Sequence, residues 1–289
     1  MSCFRFVEDH QAGYPVKRLC TLLEVSRSGF YAWRDRPPSP RAVQDEELAV
    51  DIRAIHERSR GTYGAPRVHG QLARRGRRHG CKRVARIMRA EGLVGAHARK
   101  KWRRGRPDVA PAADLLERDF VAARPDEHWV GDITEFATGD GKLYLAGILD
   151  LCDRGLVGWA MSERATADLV IDALVMAISR RRPDGPVVHH TDRGTQYTSL
   201  AFCNRLEDHG LLASFGSTGD CFDNAAMESF WATLKRELEW IHGTRRWNTR
   251  AELRAALFDY IEVFYNRTRH QTRLDHHTPS EVYAATRVA

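Results

Sequence analysis

Three acidic residues, far apart in the chain, are the ones whose types and setting could do chemistry together. Asp132 lies inside the strand-like stretch WVGDIT, Asp192 ends the strand-like GPVVHHTD, and Glu228 sits on the first turns of the helical run DNAAMESFWATLKRELEWIH. Taken singly, each is an ordinary loop cap or ion-pair partner. Gathered at one spot, they would repel one another, and a bound cation would be needed to relieve the cluster. Carboxylate oxygens suit hard ions such as Mg²⁺ or Mn²⁺ and leave coordination positions for water and phosphate oxygens. Two such ions about 3.5–4 Å apart activate an oxygen nucleophile and stabilise a departing oxygen. Asp150 and Asp153, at the end of another strand, are either accessory members of the cluster or routine strand-end residues.

Strands and a helix must bring these residues together. HWVGDITEFA and KLYLAGILDLCD read as strands joined by the turn TGDGK, and GLVGWAMS reads as a third. Strand alternation puts Val130 on the face of Asp132, so that face is not simply solvent. TADLVIDALVMAISRR, with Thr166 as N-cap, is a predicted helix; GPVVHHTD is a strand, SLAFCNRLEDHG a helix closed by Gly210, and LLASFGS a short strand. DNAAMESFWATLKRELEWIH and RAELRAALFDYIEVFYNRTRH are predicted long helices. Antiparallel strands followed by alternating helices and strands give an α/β fold with a mixed sheet flanked by helices.

The first third of the chain has a different texture. PVKRLCTLLEVSRSGFYAWR has the outline of two short helices around EVS, with Ser26 as N-cap of the second, and RPPSPR ends the unit. Three further helices are predicted: 42–59 with Leu48, Ile52 and Ile55 inward, one starting at Pro66, and CKRVARIMRAEGL with Val84, Ile87 and Met88 on one side. Lys82, Arg83, Arg86 and Arg89 occupy its other sides. HARKKWRRGRPDVAPAADLLE has no apolar period and reads as a basic linker. Between Arg41 and Arg106 there are 19 Lys and Arg against 6 Asp and Glu, although the whole chain of 289 residues carries only +7. The remainder is therefore mildly acidic, and the basic part suits a polyanion.

Other classes fit poorly. The six cysteines are scattered without a Cys-x-x-Cys pair, as in a reducing compartment. No apolar run reaches the roughly 18 residues of a membrane span, and MSCFRFVEDHQ lacks a signal-peptide core. A cytoplasmic protein is expected.

WVGDIT, HHTDRGTQY, GSTGDCFDNAAMESFWATLKRE and FDYIEVFYNRTRHQTRLDHHTPSEVY occur in this order, with 35 residues between Asp192 and Glu228. Together they resemble the integrase-type DDE transposases of bacterial insertion sequences, above all the downstream-frame (OrfB) product of two-frame elements. SRGTYGAPRVHGQLARRG and CKRVARIMRAEGL resemble the helical domain of that family, and YPVKRLCTLLEVSRSGFYAW its N-terminal segment. The resemblance runs over nearly the whole chain.

The resemblance implies a ribonuclease-H-like catalytic core over 123–285, preceded by a helix-turn-helix-like segment (1–38), a basic helical DNA-binding domain (42–97) and a basic linker (98–122). It implies that Asp132, Asp192 and Glu228 are catalytic and hold Mg²⁺ or Mn²⁺, as two ions. The implied reactions are hydrolysis at an element end and attack of the freed 3′-OH on another phosphodiester. Lys235, seven positions beyond Glu228, would meet DNA there; its alternative is a solvent-facing helix lysine. Lys82, Arg83, Arg86, Lys100, Lys101, Arg103 and Arg104 are the other expected DNA contacts. Double-stranded DNA, further copies of the chain to hold two ends, and the upstream-frame product or a fusion with it are the expected partners. The setting is the bacterial cytoplasm, at the nucleoid. No His-x3-His and Cys-x2-Cys module is present, so zinc is not expected.

Weaker readings concern neighbouring residues. His189 and His190 are strand-end histidines better suited to hydrogen bonding than to a hard ion, and Arg193 and Gln196 could steady their loop or touch substrate. Tyr197 and Tyr265 are loose alternatives for a covalent nucleophile, lacking an Arg-His constellation. Two other functions compete: a DNA-binding regulator with an inactive core, and a ribonuclease-H-like nuclease acting on RNA or hybrids.

Overall fold

The computed structural model describes residues 2–97, 122–192, 194–215 and 225–288. They divide into two compact units, Met1–Val50 and Asp51–Ala289. In the first, α1 (Cys3–His10), α2 (Val16–Leu22) and α3 (Arg27–Arg34) close around Val7, Leu19, Cys20 and Phe30. Ser26 caps α3 as its sequence position predicts, its hydroxyl accepting from the Gly29 N–H at 3.2 Å. The helix α1 is an addition to the predicted elements. The long helix α4 (Pro40–Arg58) crosses the division and buries Leu48, Ile52 and Ile55, the predicted apolar face.

The second unit begins with the basic helices α5 (Ala65–Arg74) and α6 (Cys81–Ala90). Val84, Ile87 and Met88 are buried on α6, and Gly92, at a left-handed φ of 67°, lets the chain turn away after it. Lys100, Lys101, Arg103 and Arg104, with Arg193, lie outside the described residues.

A five-stranded sheet follows, built from β1 (His128–Thr138), β2 (Gly141–Asp150), β3 (Leu156–Ser162), β4 (Val188–Thr191) and β5 (Leu212–Phe215). Its order is β3-β2-β1-β4-β5. The first three strands form an antiparallel meander, and β4 and β5 add parallel to β1. This is a ribonuclease-H-like mixed sheet. Against one face, α7 (Ala167–Arg181) and α8 (Leu200–Asp208) cover Trp129, Ala146, Ile148 and Val157. Against the other, α9 (Ala225–His242) and α10 (Arg250–Phe258) cover Val130, Leu143, Leu145 and Leu149. Both faces being buried, β2 reads as a near-continuous apolar run.

The helix predicted to continue from α10 through the following tyrosines changes its winding. Asp259–Tyr265 is a π-helix, and the chain ends its described part with α11 (Pro279–Val288) after a short 3₁₀ turn. Here the structure ties α5 to the C-terminal segment. Arg67 reaches Glu237 on α9 at 3.3 Å, and the same carboxylate accepts from Arg269 at 2.7 and 2.8 Å and from the Tyr260 hydroxyl at 2.8 Å. The backbone N–H of His270 donates to the Tyr63 hydroxyl at 2.6 Å, and Arg74 donates to the His276 carbonyl at 2.8 Å. Gly70 permits this approach: a Cβ there would stand 2.2 Å from the His276 ring.

Candidate active site

Sheet register brings the first two carboxylates side by side. Gly131 pairs with Thr191 across the parallel strands β1 and β4, so Asp132 and Asp192, each one residue farther on, stand level on neighbouring strands. Alternation points Asp132 to one face of the sheet, while Asp192, one residue past the end of β4, accepts from the Gly194 N–H at 3.0 Å. That face is the one covered by α9, since Asp132 follows Val130 by two positions and Val130 packs with Met227, Phe230 and Trp231. Glu228 lies in the first turn of α9.

Asp132 feels the other two carboxylates. Burial pushes the Asp132 carboxyl up to about 6, and the negative charges of Asp192 and Glu228 push in the same direction. Two hydrogen bonds to Asp132, from the Ile133 N–H and from the Trp231 indole, oppose that rise without cancelling it. Among the described residues, no three His, Cys, Asp or Glu side chains stand close enough together to form a ready-made metal centre. The donor set itself is all carboxylate oxygen, and the charges of Asp192 and Glu228 act on Asp132. That chemistry fits a hard divalent ion, which Asp132 and the exposed Asp192 and Glu228 would hold.

Lys235 lies two turns along α9 from Glu228, with Nζ 5.0 Å from the Phe136 ring centroid. Partial burial lowers its pKa, while the charges of Glu135 and Asp132 hold the proton on. The lysine is thus within electrostatic reach of Asp132. Lys82, Arg83 and Arg86 belong to α6, which packs against α5.

The remaining sequence candidates find structural employment. Asp150 is fully buried and accepts from the backbone of Asp126, Cys152 and Asp153 and from the Trp129 indole. Asp153 pairs with Arg181 at 2.7 Å. Both have structural partners of their own at the end of β2. His189 is buried on the opposite face against Phe202, and burial lowers its pKa to about 3, keeping it neutral. The His190 ring nitrogen Nδ1 lies 2.9 Å from the Ser214 hydroxyl. The Tyr265 hydroxyl donates to the Arg154 carbonyl at 2.9 Å, and Gln196 donates to the Ala165 carbonyl at 3.0 Å, steadying the loop after Asp192.

Two participants escape a reading of sequence alone. Trp231 donates from Nε1 to Asp132 Oδ2 at 2.9 Å. Its signal is the i, i+3 spacing from Glu228, which puts both on one side of α9. Gly147, paired with Asp132 across β1 and β2, makes room for the indole; a Cβ there would meet it at 2.8 Å.

Comparison with known proteins gives three family-model matches: an HTH-like domain over residues 43–101 and two integrase core domain models over 122–221 and 228–283. Among curated proteins, the chain is 41% identical over 270 residues to transposase InsF for insertion sequence IS3A of Escherichia coli K12, covering 91% of this chain and 92% of that one. It is 40% identical over 265 residues to an insertion element IS600 uncharacterized 31 kDa protein of Shigella sonnei, covering 91% and 96%. Among solved structures, the HTLV-2 integrase catalytic core domain in complex with magnesium aligns with a TM-score of 0.43 at 17% identity, covering 56% of this chain and 98% of that one.

Proposed function

We propose a mechanism for this chain on the premise that it belongs to the InsF-type transposases of IS3-family insertion sequences. It hydrolyses a phosphodiester at an element end and then joins the freed 3′-OH to another phosphodiester. In both steps an oxygen nucleophile attacks phosphorus in line, the P–O bond opposite breaks, and the departing oxygen takes up a proton. No covalent protein intermediate is required.

Asp132, Asp192 and Glu228 would hold the divalent ions, Mg²⁺ or Mn²⁺, as a pair. Bound there, such ions supply the positive charge that favours the attacking and departing oxygens. The protein's own part is placement. Asp132 is fixed in the sheet by Trp231, Asp192 is carried level with it by β4, and Glu228 is presented by the start of α9. Lys235, beside Asp132, offers a cation to a phosphate next to the cut. The basic helices before the core hold the duplex, with Lys82, Arg83 and Arg86 on α6 as contacts and Lys100, Lys101, Arg103 and Arg104 beyond it. Joining two ends calls for more than one copy of the chain on DNA, in the bacterial cytoplasm. Among the described residues no helix is long and apolar enough to cross a membrane.

The observation that carries this reading is the register of β1 and β4, which sets Asp132 and Asp192 side by side under the helix that bears Glu228. Incubation with Mn²⁺ and labelled terminal-repeat DNA should give cleavage or joining that Asp192→Asn abolishes. Equal product from that variant, or salt-sensitive binding with no metal-dependent product from the unaltered chain, would sink the mechanism.

A further inference from the structure

The docking of α5 on the C-terminal segment creates a cleft of about 400 Å³ with an unusual charge. Arg58, Arg74, Arg75 and Arg267 line it together with His270, and Glu281 is its lone carboxylate. Arg74 bridges to Glu281 at 3.1 Å, so the acid is already matched. Arg58, Arg75 and Arg267 make no ion pair with any described residue.

Three further guanidiniums around one open concavity raise the local positive potential, which favours an anion. The guanidinium fork suits an anion with several oxygens, and phosphate is the best geometric match. An open cleft between elements does not enclose a small molecule, but it can receive one point along a polymer backbone. Its walls are also held in place. Arg67, Glu237 and Arg269 lock α5 to α9 beneath it, and Gln71 on the wall donates to the His276 carbonyl at 3.1 Å. The arginines are therefore presented from a fixed frame.

We propose that this cleft binds a backbone phosphate of DNA, at a site separate from the carboxylates and from the basic side of α6. Arg58 and Arg75 belong to the segment matching the HTH-like domain, and Arg267 to that matching the integrase core. One phosphate gripped from both sides would hold the two parts in a set register on a single duplex. The inference rests on the DNA-binding reading above and deepens it.

The test uses the full chain with the double variant Arg58→Gln/Arg267→Gln and, for comparison, Lys82→Gln/Arg86→Gln. Affinity is read by fluorescence anisotropy against a terminal-repeat duplex and a scrambled duplex of equal length, across a salt series. Loss of this one phosphate contact should flatten the log K against log salt slope by about 1 and weaken binding at ~0.1 M salt on the order of tenfold, equally on both duplexes. Arg58→Lys/Arg267→Lys should keep most of the slope, which separates charge from folding. A wild-type slope in the Gln variant, beside a reduced one in the α6 variant, would overturn the cleft alone. Failure of the unaltered chain to bind either duplex would overturn the DNA-binding reading and the cleft with it.

Discussion

Trp231 donates its indole N–H to Oδ2 of Asp132 at 2.9 Å, from a position three residues beyond Glu228 on α9. The bond holds Oδ2 and sets the angle of the carboxylate. Hydrogen-bond partners of ligating carboxylates commonly alter metal affinity by about 10- to 100-fold when removed. Trp231→Phe keeps an aromatic ring in the core and deletes the donor, so Mn²⁺ affinity should fall about tenfold in the absence of DNA. The electron paramagnetic resonance signal of free Mn²⁺ reads this directly. Unchanged affinity with unchanged melting temperature would reduce Trp231 to a packing residue.

Asp132 should make the metal-free protein less stable as pH rises. Its carboxyl is pushed up to about 6 in the folded chain, against 3.8 for the unperturbed group. Between those values the folded state binds more protons than the unfolded one, so stability declines as pH climbs through the window and stays low above it. In chelator at pH 7.5, Asp132→Asn should therefore melt higher than the unaltered chain by a margin on the order of 1–3 kcal/mol, and the gap should close near pH 4. A gap of equal size at both pH values would show that the carboxyl's charge is not the cause.

Much of this arrangement is legible in sequence, and the losses have physical causes. Period-2 and period-3.6 patterns mark β1 to β4 and α7 to α9 because each element buries a defined face. Asp132 reads as facing a covered surface because Val130 shares its side. The π-helix at Asp259–Tyr265 does not announce itself. It depends on bonds such as Asn266 N–H to the Ile261 carbonyl at 3.2 Å and on the burial of Tyr260, Phe264 and Tyr265, which no local pattern encodes. Charge counting misleads in a related way. Arg53, Arg60, Arg67, Arg74 and Arg77 all enter the basic surplus, yet they pair with Glu91, Asp259, Glu237, Glu281 and Asp51. A sum over sequence cannot tell a DNA-facing cation from one already neutralised.

Glu237 should be far more important to stability than an ordinary helix glutamate. Burial alone would raise its pKa, but Arg269, Arg67 and the Tyr260 hydroxyl together hold it below the usual carboxylate range. Glu237→Gln leaves the buried Arg269 charge without its counterion, and breaking such a pair costs about 3–5 kcal/mol. Urea unfolding at neutral pH should show a loss of that order. The sign with pH is opposite to that of Asp132: the contribution is present above the unperturbed value of 4.5 and disappears as pH falls through the lower folded value. The penalty of the substitution should accordingly shrink on acidification. A loss below about 1 kcal/mol at neutral pH would mean that water reaches and screens the pair.

Gly147→Ala tests the same contact as Trp231→Phe from the other side of the indole. Gly147 pairs with Asp132 across β1 and β2, and a Cβ there would meet the Trp231 ring at 2.8 Å and Leu156 Cδ1 at 3.1 Å. The new methyl must push the ring outward, and overpacking of this kind costs about 1–3 kcal/mol. It should also lengthen the bond from Trp231 to Asp132, so weaker Mn²⁺ binding is expected although no ligand and no donor has been removed. Gly185→Ala, where a Cβ meets nothing within 4 Å, is the matched control and should change neither quantity. If Gly147→Ala lowers the melting temperature but binds Mn²⁺ as the unaltered chain does, the indole tolerates displacement and its bond to Asp132 does not set the metal affinity.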